Sequence, residues 1–421
     1  MAIGYACLTV GGPKVNYRTC RKQNATPDKL KELIKHNLLV LSHQLDYNHQ
    51  QGIRLFRITS DLIPFGSDLE TNSLDWGHLF RQEWQDLAQK IKNYQIRVSA
   101  HPGQYTVLNT PKAAVLQRTI ADLEYHDRFL TLLETDSASK IVLHIGGIYG
   151  DKQAAMKRFV DNYQKLNPQI KKRLVIENDD RLYTIQEVLN LSQATGAPVV
   201  YDNLHNACNP ADLTRSDRDW IQEASLTWAV QDGPQAVHYS QQKPGGRLGS
   251  HTATIYHADF LDYYYQLQDL DLDIVLEVKD KNLSAVKCIN LTRSDRHIKY
   301  LEAEWARYKY SVLEHSPSHY QAIRQLLKDK TDYPAVHFYS LLEEALDTPA
   351  TAGSLTNAYD HVWGYFKDQV TNKEKANYRS LQQNLQVETS VDAGIKLKRF
   401  LKRMAKKYPN SYLDQSLFFE L

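Results

Sequence analysis

His101, His144, Glu177, Asp202, His205, His238, His251 and Glu277 are the residues of this chain whose types and order suit metal chemistry. Neutral imidazole supplies nitrogen ligands, and Glu or Asp can bridge two ions through its two oxygens. Such a nitrogen and oxygen set without cysteine suits manganese, zinc or ferrous iron and does not choose among them. Taken singly, each residue has an ordinary structural use: a histidine at a strand end accepts or donates a hydrogen bond, Asp202 and His205 hold a loop, Glu277 pairs with a lysine. Their recurrence at one kind of position is what points to a multinuclear metal site.

That position is the end of a strand. Short apolar, β-branched runs at Ile3–Thr9, Ile53–Ser60, Ile96–Ala100, Lys140–His144, Leu174–Glu177, Val199–Asp202, Ala236–Tyr239 and Ile274–Lys279 read as strands. Helical patterns such as Pro27–Gln50, Trp76–Tyr94, Ala113–Leu133, Lys152–Leu166 and Thr184–Gln193 separate them. Alternation of this kind implies a parallel sheet, because parallel strands need crossover connections. Eight units in about 285 residues match a (β/α)8 TIM barrel. An open doubly wound sheet is the alternative, but no Gly-x-Gly-x-x-Gly follows the first strand. In a barrel the carboxyl ends converge, so four or five imidazoles and three carboxylates would face one cavity. Apolar strands delivering that many polar groups require a partner for them.

At 421 residues, 42% of them apolar, the chain can bury a core and exceeds the usual single domain. The expected division is a barrel over 1–290 and an all-α domain over 291–421. No apolar run approaches bilayer length, no leader pattern opens the chain, and the four cysteines form no paired metal motif. Together these suggest a cytoplasmic, reducing setting, with nucleoid-associated activity if DNA is the partner. The formal charge of +2 neither predicts nor excludes that partner.

Several strings in this order resemble the UV damage endonuclease family (UvdE-like), relatives of endonuclease IV within the xylose-isomerase-like barrels. They are Gly4-Tyr5, Arg57–Phe65, His101-Pro102-Gly103-Gln104-Tyr105, Glu177-Asn178-Asp179, Asp202–His205, His238-Tyr239-Ser240 and Leu276–Asp280. The resemblance implies an enzyme that nicks damaged double-stranded DNA immediately 5′ of UV photoproducts, leaving a 3′-hydroxyl and a 5′-phosphate. It implies two or three divalent ions, manganese foremost with zinc or iron as alternatives, and no organic cofactor. The eight residues above would be ligands, with Glu177, Glu277, Asp202 and Tyr5 in catalysis. Gln104 and Tyr105 would insert into the duplex, with Asn109 and Arg247 as further DNA contacts. An aromatic ring can replace lost stacking and an amide can bond exposed base edges, while a poorly stacked dimer is easier to extrude than an intact base. Two positions depart from the pattern: Asp68 stands where a ligand histidine is expected, leaving it as a further candidate ligand, and Ala236 stands where some relatives carry a lysine.

From about Asn290 the patterns are helical, at Glu302–Leu313, Tyr320–Leu327, Leu355–Phe366, Lys373–Leu385 and Ala393–Lys407. This part resembles the YbgA-like domain in Asn357–Phe366 and Tyr408–Leu421, and a repair-protein partner could bind there. Its basic helix, with Lys396, Lys398, Arg399, Lys402, Arg403, Lys406 and Lys407, could bind phosphates. Three other functions compete with lesion-specific nicking. An abasic-site endonuclease would use the same metal chemistry. A metal-dependent sugar isomerase would not need a duplex-probing Gln-Tyr pair, and a non-catalytic DNA-binding module would not need so dense a ligand set.

Overall fold

The computed structural model describes residues 1–11, 15–388 and 391–421. Eight short strands, β1 (Ile3–Ala6), β2 (Leu55–Ile58), β3 (Arg97–Ala100), β4 (Ile141–His144), β5 (Leu174–Glu177), β6 (Val199–Asp202), β7 (Gln235–Tyr239) and β8 (Leu272–Leu276), close into a barrel in chain order. All eight neighbouring pairs are parallel, and β8 returns to β1 with Tyr5 opposite Leu276. The strands are almost wholly buried, as expected where helices cover the outside of a parallel sheet. The helices carry their own start and stop signals. Thr26 caps Pro27–Gln51, which ends on Gly52 at φ 74°, and a Thr184–Glu187 capping box opens Ile185–Thr195. Gly4 allows β1 to approach β2, since a Cβ there would lie 2.0 Å from the Leu55 carbonyl oxygen.

The barrel interior builds the site in layers. Val142, Val175 and Val200 pack together with the partly buried Trp228 against them. Two residues further along the same strands, and therefore on the same face, come His144, Glu177 and Asp202. Register brings them side by side: His144 lies opposite Glu177, and Asp202 opposite His238.

The amino ends of the strands carry a closed ionic network. Lys140 Nζ meets Asp232 Oδ1 at 2.5 Å and donates to the Lys172 carbonyl at 2.8 Å. Arg97 donates to Asp273 at 3.0 Å and to the Pro234 carbonyl at 2.7 Å. Arg173 donates to Asp127 at 3.0 Å and to the Thr135 and Ser139 carbonyls.

The barrel and the helical C-terminal region are those the alternation implies, with local differences. The single helix expected over Trp76–Tyr94 is two, Trp76–Leu79 and Arg81–Tyr94, broken at Phe80 where φ is −119°. The last strand starts earlier and ends sooner than Ile274–Lys279. Asp273 is tolerated inside it because Ala2 N and Arg97 both donate to its carboxylate.

By contacts the chain divides into one compact unit ending at Ile289 and another containing Asn290–Leu421. The described elements of 293–421 are helical: Lys299–His315, Pro317–Leu326, Ala335–Asp347, Ala352–Trp363, Asn372–Glu388, Val391–Lys407 and Ser411–Gln415, besides a short turn at Leu417–Phe419. The core of the second unit includes Tyr359, Val362, Phe366, Leu397, Phe400 and Leu401. Among the described residues, no helix is long and apolar enough to cross a membrane.

Candidate metal centre

Glu177 is the hub. It is fully buried, and its two oxygens divide four histidines between them. Oε2 lies 3.2 Å from His101 Nε2 and 3.5 Å from His144 Nε2. Oε1 lies 2.6 Å from His238 Nδ1 and 3.7 Å from His205 Nδ1. Glu277, just past β8, approaches His238 Nδ1 at 3.5 Å. Among the described residues, His101 with His144 and Glu177, and Glu177 with Asp202 and His238, form groups close enough to hold an ion each. Six of the eight expected ligands, His101, His144, Glu177, Asp202, His205 and His238, thus come together, and Glu277 joins through His238. His251, bridged to Gln242 on the Gly245–Gly249 loop, lies outside those groups but within electrostatic reach of Glu277 and His205.

Backbone carbonyls orient the rings. His101 Nδ1 donates to the Pro102 carbonyl at 3.0 Å, and His205 Nδ1 to the Asn178 carbonyl at 2.9 Å. Donation from Nδ1 leaves the Nε2 of each ring for a ligand, the arrangement metal-binding histidines adopt. Asn178 also pairs both ways with the Asp202 backbone. Ser60 bridges His126 and the His101 carbonyl, pinning the end of β3 from behind.

The charge balance is unfinished. Burial opposes ionisation of Glu177, but His238 and His144 outweigh it and hold its carboxyl well below the usual range. Burial likewise opposes a charged Glu277, and Arg57 with His238 overcomes it. Asp202 is pushed up to about 6 by burial, with Glu177 and Glu277 adding to the shift. Burial works against a protonated His205, yet Asp202, Glu177 and Glu277 raise it to about 9. Burial pushes the His144 imidazole down, with His101 and His205 adding to the shift against Glu177, and His144 Nδ1 and Asp202 Oδ2 are buried with no hydrogen-bond partner. Buried, unpartnered imidazole and carboxylate atoms beside clustered nitrogen and oxygen donors fit divalent cations.

Beside this cluster the loop after β3 makes a turn. Thr106 N donates to the Gly103 carbonyl at 2.9 Å, so Gln104 and Tyr105 are the two central residues of a four-residue turn. Thr106 Oγ1 anchors the turn on Asp122 at 2.6 Å. Gln104 is exposed and Tyr105 is 83% exposed. A cleft of about 280 Å³ runs between the turn and the cluster, lined by Gln104, Thr106, His144, Asp179 and His205 among others.

Other expected site residues lie differently. Tyr5 is fully buried, with its hydroxyl bonded to Thr9 at 2.7 Å and donating to Asn48 at 2.9 Å, so it packs the end of β1 and is not open to a substrate. Asn109 cannot touch DNA: it is fully buried and donates to the Gly147 carbonyl and to Tyr183, tying the β3 loop to the β4 loop. Gly146, at φ 110°, leaves room for it, since a Cβ there would lie 2.5 Å from Asn109 Oδ1. Asp68 is committed to Lys22 at 2.9 Å and Thr71 at 2.6 Å and takes no part in the two groups. Arg247 is exposed on the loop that carries His251. Arg57 had no expected role, yet its guanidinium grips Glu277 at 2.6 Å inside the barrel. The signal was an arginine within the apolar Leu55-Phe56-Arg57-Ile58, which needs a buried acid to pair with.

Fold and site together define a parallel (β/α)8 barrel with a histidine–carboxylate centre at the carboxyl ends of its strands. Residues 1–308 match the family described as UV-endonuclease UvdE, and the chain belongs to that family. Residues 309–421 match a family described as a protein of unknown function, DUF1722. The UV DNA damage endonuclease of Clostridium perfringens (strain 13 / Type A) is 37% identical over 414 residues, spanning 97% of this chain and 96% of that protein. The protein of the same name from Bacillus velezensis is 31% identical over 290 residues, covering 67% of this chain and 88% of its own length. The crystal structure of SacUVDE superposes with a TM-score of 0.64 at 32% identity, covering 69% of this chain and 97% of that one.

Proposed function

We propose that the chain is a metal-dependent endonuclease that incises double-stranded DNA immediately 5′ of UV photoproducts, leaving a 3′-hydroxyl and a 5′-phosphate. Membership of the UvdE family supports the substrate class. The observation that carries the reading is the shared cleft, lined on one side by His144 and His205 and on the other by Gln104 of the exposed turn. In this reading Gln104 would meet a distorted duplex beside the groups that would act on its phosphodiester.

His101, His144, Glu177, Asp202, His205, His238, His251 and Glu277 would hold two or three divalent ions, manganese foremost. Such ions lower the pKa of a bound water towards neutrality and offset the charge of the leaving oxygen. The chain's own residues do the rest. Arg57 fixes the Glu277 carboxylate, and Asn178 fixes both Asp202 and His205. His205, held protonated at neutral pH by Asp202, Glu177 and Glu277 against burial, offsets part of the charge of those carboxylates. Tyr105 stacks in the gap that an extruded dimer leaves, and Gln104 bonds the exposed base edges. The bonds of Thr106 to Gly103 and Asp122 fix the base of the turn and so lower the ordering cost of that insertion.

The test uses three duplexes, carrying one thymine dimer, one abasic site or no damage, each incubated with the manganese-loaded protein. The expected result is a nick on the 5′ side of the dimer and none in the undamaged duplex. Nicking of the abasic duplex alone would replace this reading with an abasic-site endonuclease. No nick in any duplex by metal-loaded protein would overturn it.

A further inference from the structure

Seven lysines and arginines lie between Lys396 and Lys407 of the helix Val391–Lys407, and the structure sorts them into two sets. Three are spent inside the C-terminal unit. Lys398 pairs with Glu314 at 2.8 Å, Lys407 with Glu374 at 2.6 Å, and Lys402 donates to the Phe419 carbonyl at 2.9 Å and Glu420 at 3.2 Å. The other four, Lys396, Arg399, Arg403 and Lys406, are exposed, and among the described residues no acid stands within ion-pair distance of them. Their spacing of three, four and three residues keeps them within a stripe about 80° wide on the helix. We propose that this stripe binds the phosphate backbone of duplex DNA.

The opposite side of the helix limits what the stripe can serve. Leu397, Phe400, Leu401 and Met404 are buried in the core of the unit, so no apolar face remains to enter a lipid surface. Like charges three and four residues apart repel one another, and among the described residues no carboxylate within ion-pair distance relieves them, Arg403 lying instead over the Phe400 ring. A polyanion does. Lys396 to Lys406 spans about 15 Å of helix at 1.5 Å per residue. A DNA strand places a phosphate every ~3.4 Å along its axis, so four cations over that length can meet phosphates of one strand. The choice of DNA among polyanions rests on the reading of the barrel as a DNA endonuclease.

The full chain is compared with the K396Q/R399Q/R403Q/K406Q variant, measuring affinity between about 50 and 200 mM salt for an undamaged duplex and the same duplex carrying a thymine dimer. Each phosphate contact contributes about 0.9 to the slope of log affinity against log salt, so the slope should fall by about 3.6 for four contacts. Both duplexes should lose affinity by the same factor, because backbone contacts carry no lesion information. A control, K35Q/K92Q/K157Q/K165Q, removes four exposed lysines from helices around the barrel and should leave the slope nearly unchanged. An unchanged slope in the stripe variant, or an equal fall in the control, overturns the proposal. Should the quadruple variant fail to fold, R399Q/R403Q should show about half the fall, and no fall there overturns the proposal too. Wild-type protein that nicks the dimer while the stripe variant binds normally would leave the barrel reading standing alone. A stripe effect without nicking would do the reverse.

Discussion

The two ends of the barrel are both rich in buried charge, yet they are built to opposite rules. At the amino end, Lys140, Arg97 and Arg173 are matched by Asp232, Asp273 and Asp127, and their remaining donors reach backbone carbonyls. At the carboxyl end, Glu177, Asp202 and Glu277 crowd together with four histidines, Asp202 Oδ2 and His144 Nδ1 have no hydrogen-bond partner, and His205 is driven up to about 9 by its acidic neighbours. A closed network contributes to holding the strands together. An open one stores a demand for cations. The contrast separates charge used for the fold from charge used for chemistry, within one barrel and with the same residue types.

Substitutions should therefore act in opposite currencies at the two ends. Glu177→Gln should lower nicking of a dimer-containing duplex by at least about 10³-fold, the several kcal/mol that a metal centre contributes, with a smaller loss of stability in urea unfolding of the metal-free protein than the amino-end substitution Asp232→Ala causes. Asp232→Ala should do the reverse. It strands Lys140, which is 3% exposed, and should cost about 3–5 kcal/mol in urea unfolding while the nicking rate per folded molecule stays unchanged. If Asp232→Ala slowed nicking and spared stability, the division of labour between the ends would be wrong.

Acid should affect the carboxyl end through its open sites. His205 has a folded value of about 9, above its ordinary value, so its charged contact with Asp202 is present at neutral pH and is lost as pH rises through about 9. An arriving ion must expel that proton. Calorimetry at pH 7 should record proton release on metal uptake, with apparent affinity falling about tenfold for each unit of acid below pH 9. The fall should steepen below about 6, where Asp202 also takes up a proton. Flat affinity across that range would mean that His205 is not displaced by the ion. The smallest effect belongs to the turn. Tyr105→Ala should reduce preference for the dimer over intact duplex by about 10-fold, roughly 1–3 kcal/mol of stacking, and leave metal uptake untouched.

Much of this was legible because polar residues ended apolar runs of period two. Val142-Leu143-His144, Val175-Ile176-Glu177 and Val200-Tyr201-Asp202 each put a ligand candidate two residues beyond an interior valine, so side-chain alternation alone aims them inward. Loop side chains have no such rule. Asn109 and Tyr105 stand four residues apart on one loop, yet one is fully buried and the other 83% exposed, a difference set by Gly147, Tyr183 and Asp122 from distant parts of the chain. Long-range pairing hid Arg57 and Asp273 in the same way, since each is tolerable in a strand only because Glu277 or Arg97 waits across the barrel. On the basic helix, the sequence showed seven cations but not that Glu314, Glu374 and Glu420 would claim Lys398, Lys407 and Lys402, leaving a stripe of four.

The central claim is that the open cluster around Glu177 is a metal centre that cuts DNA. Its most direct test is to strip the protein with a chelator, titrate manganese back while counting bound ions by mass spectrometry, and follow nicking of the dimer duplex on the same samples. Uptake of two or three ions is expected, with nicking that returns in step with them and loss of both in a folded His238→Gln variant. Full nicking by protein without bound metal, or unchanged uptake in that variant, would contradict it.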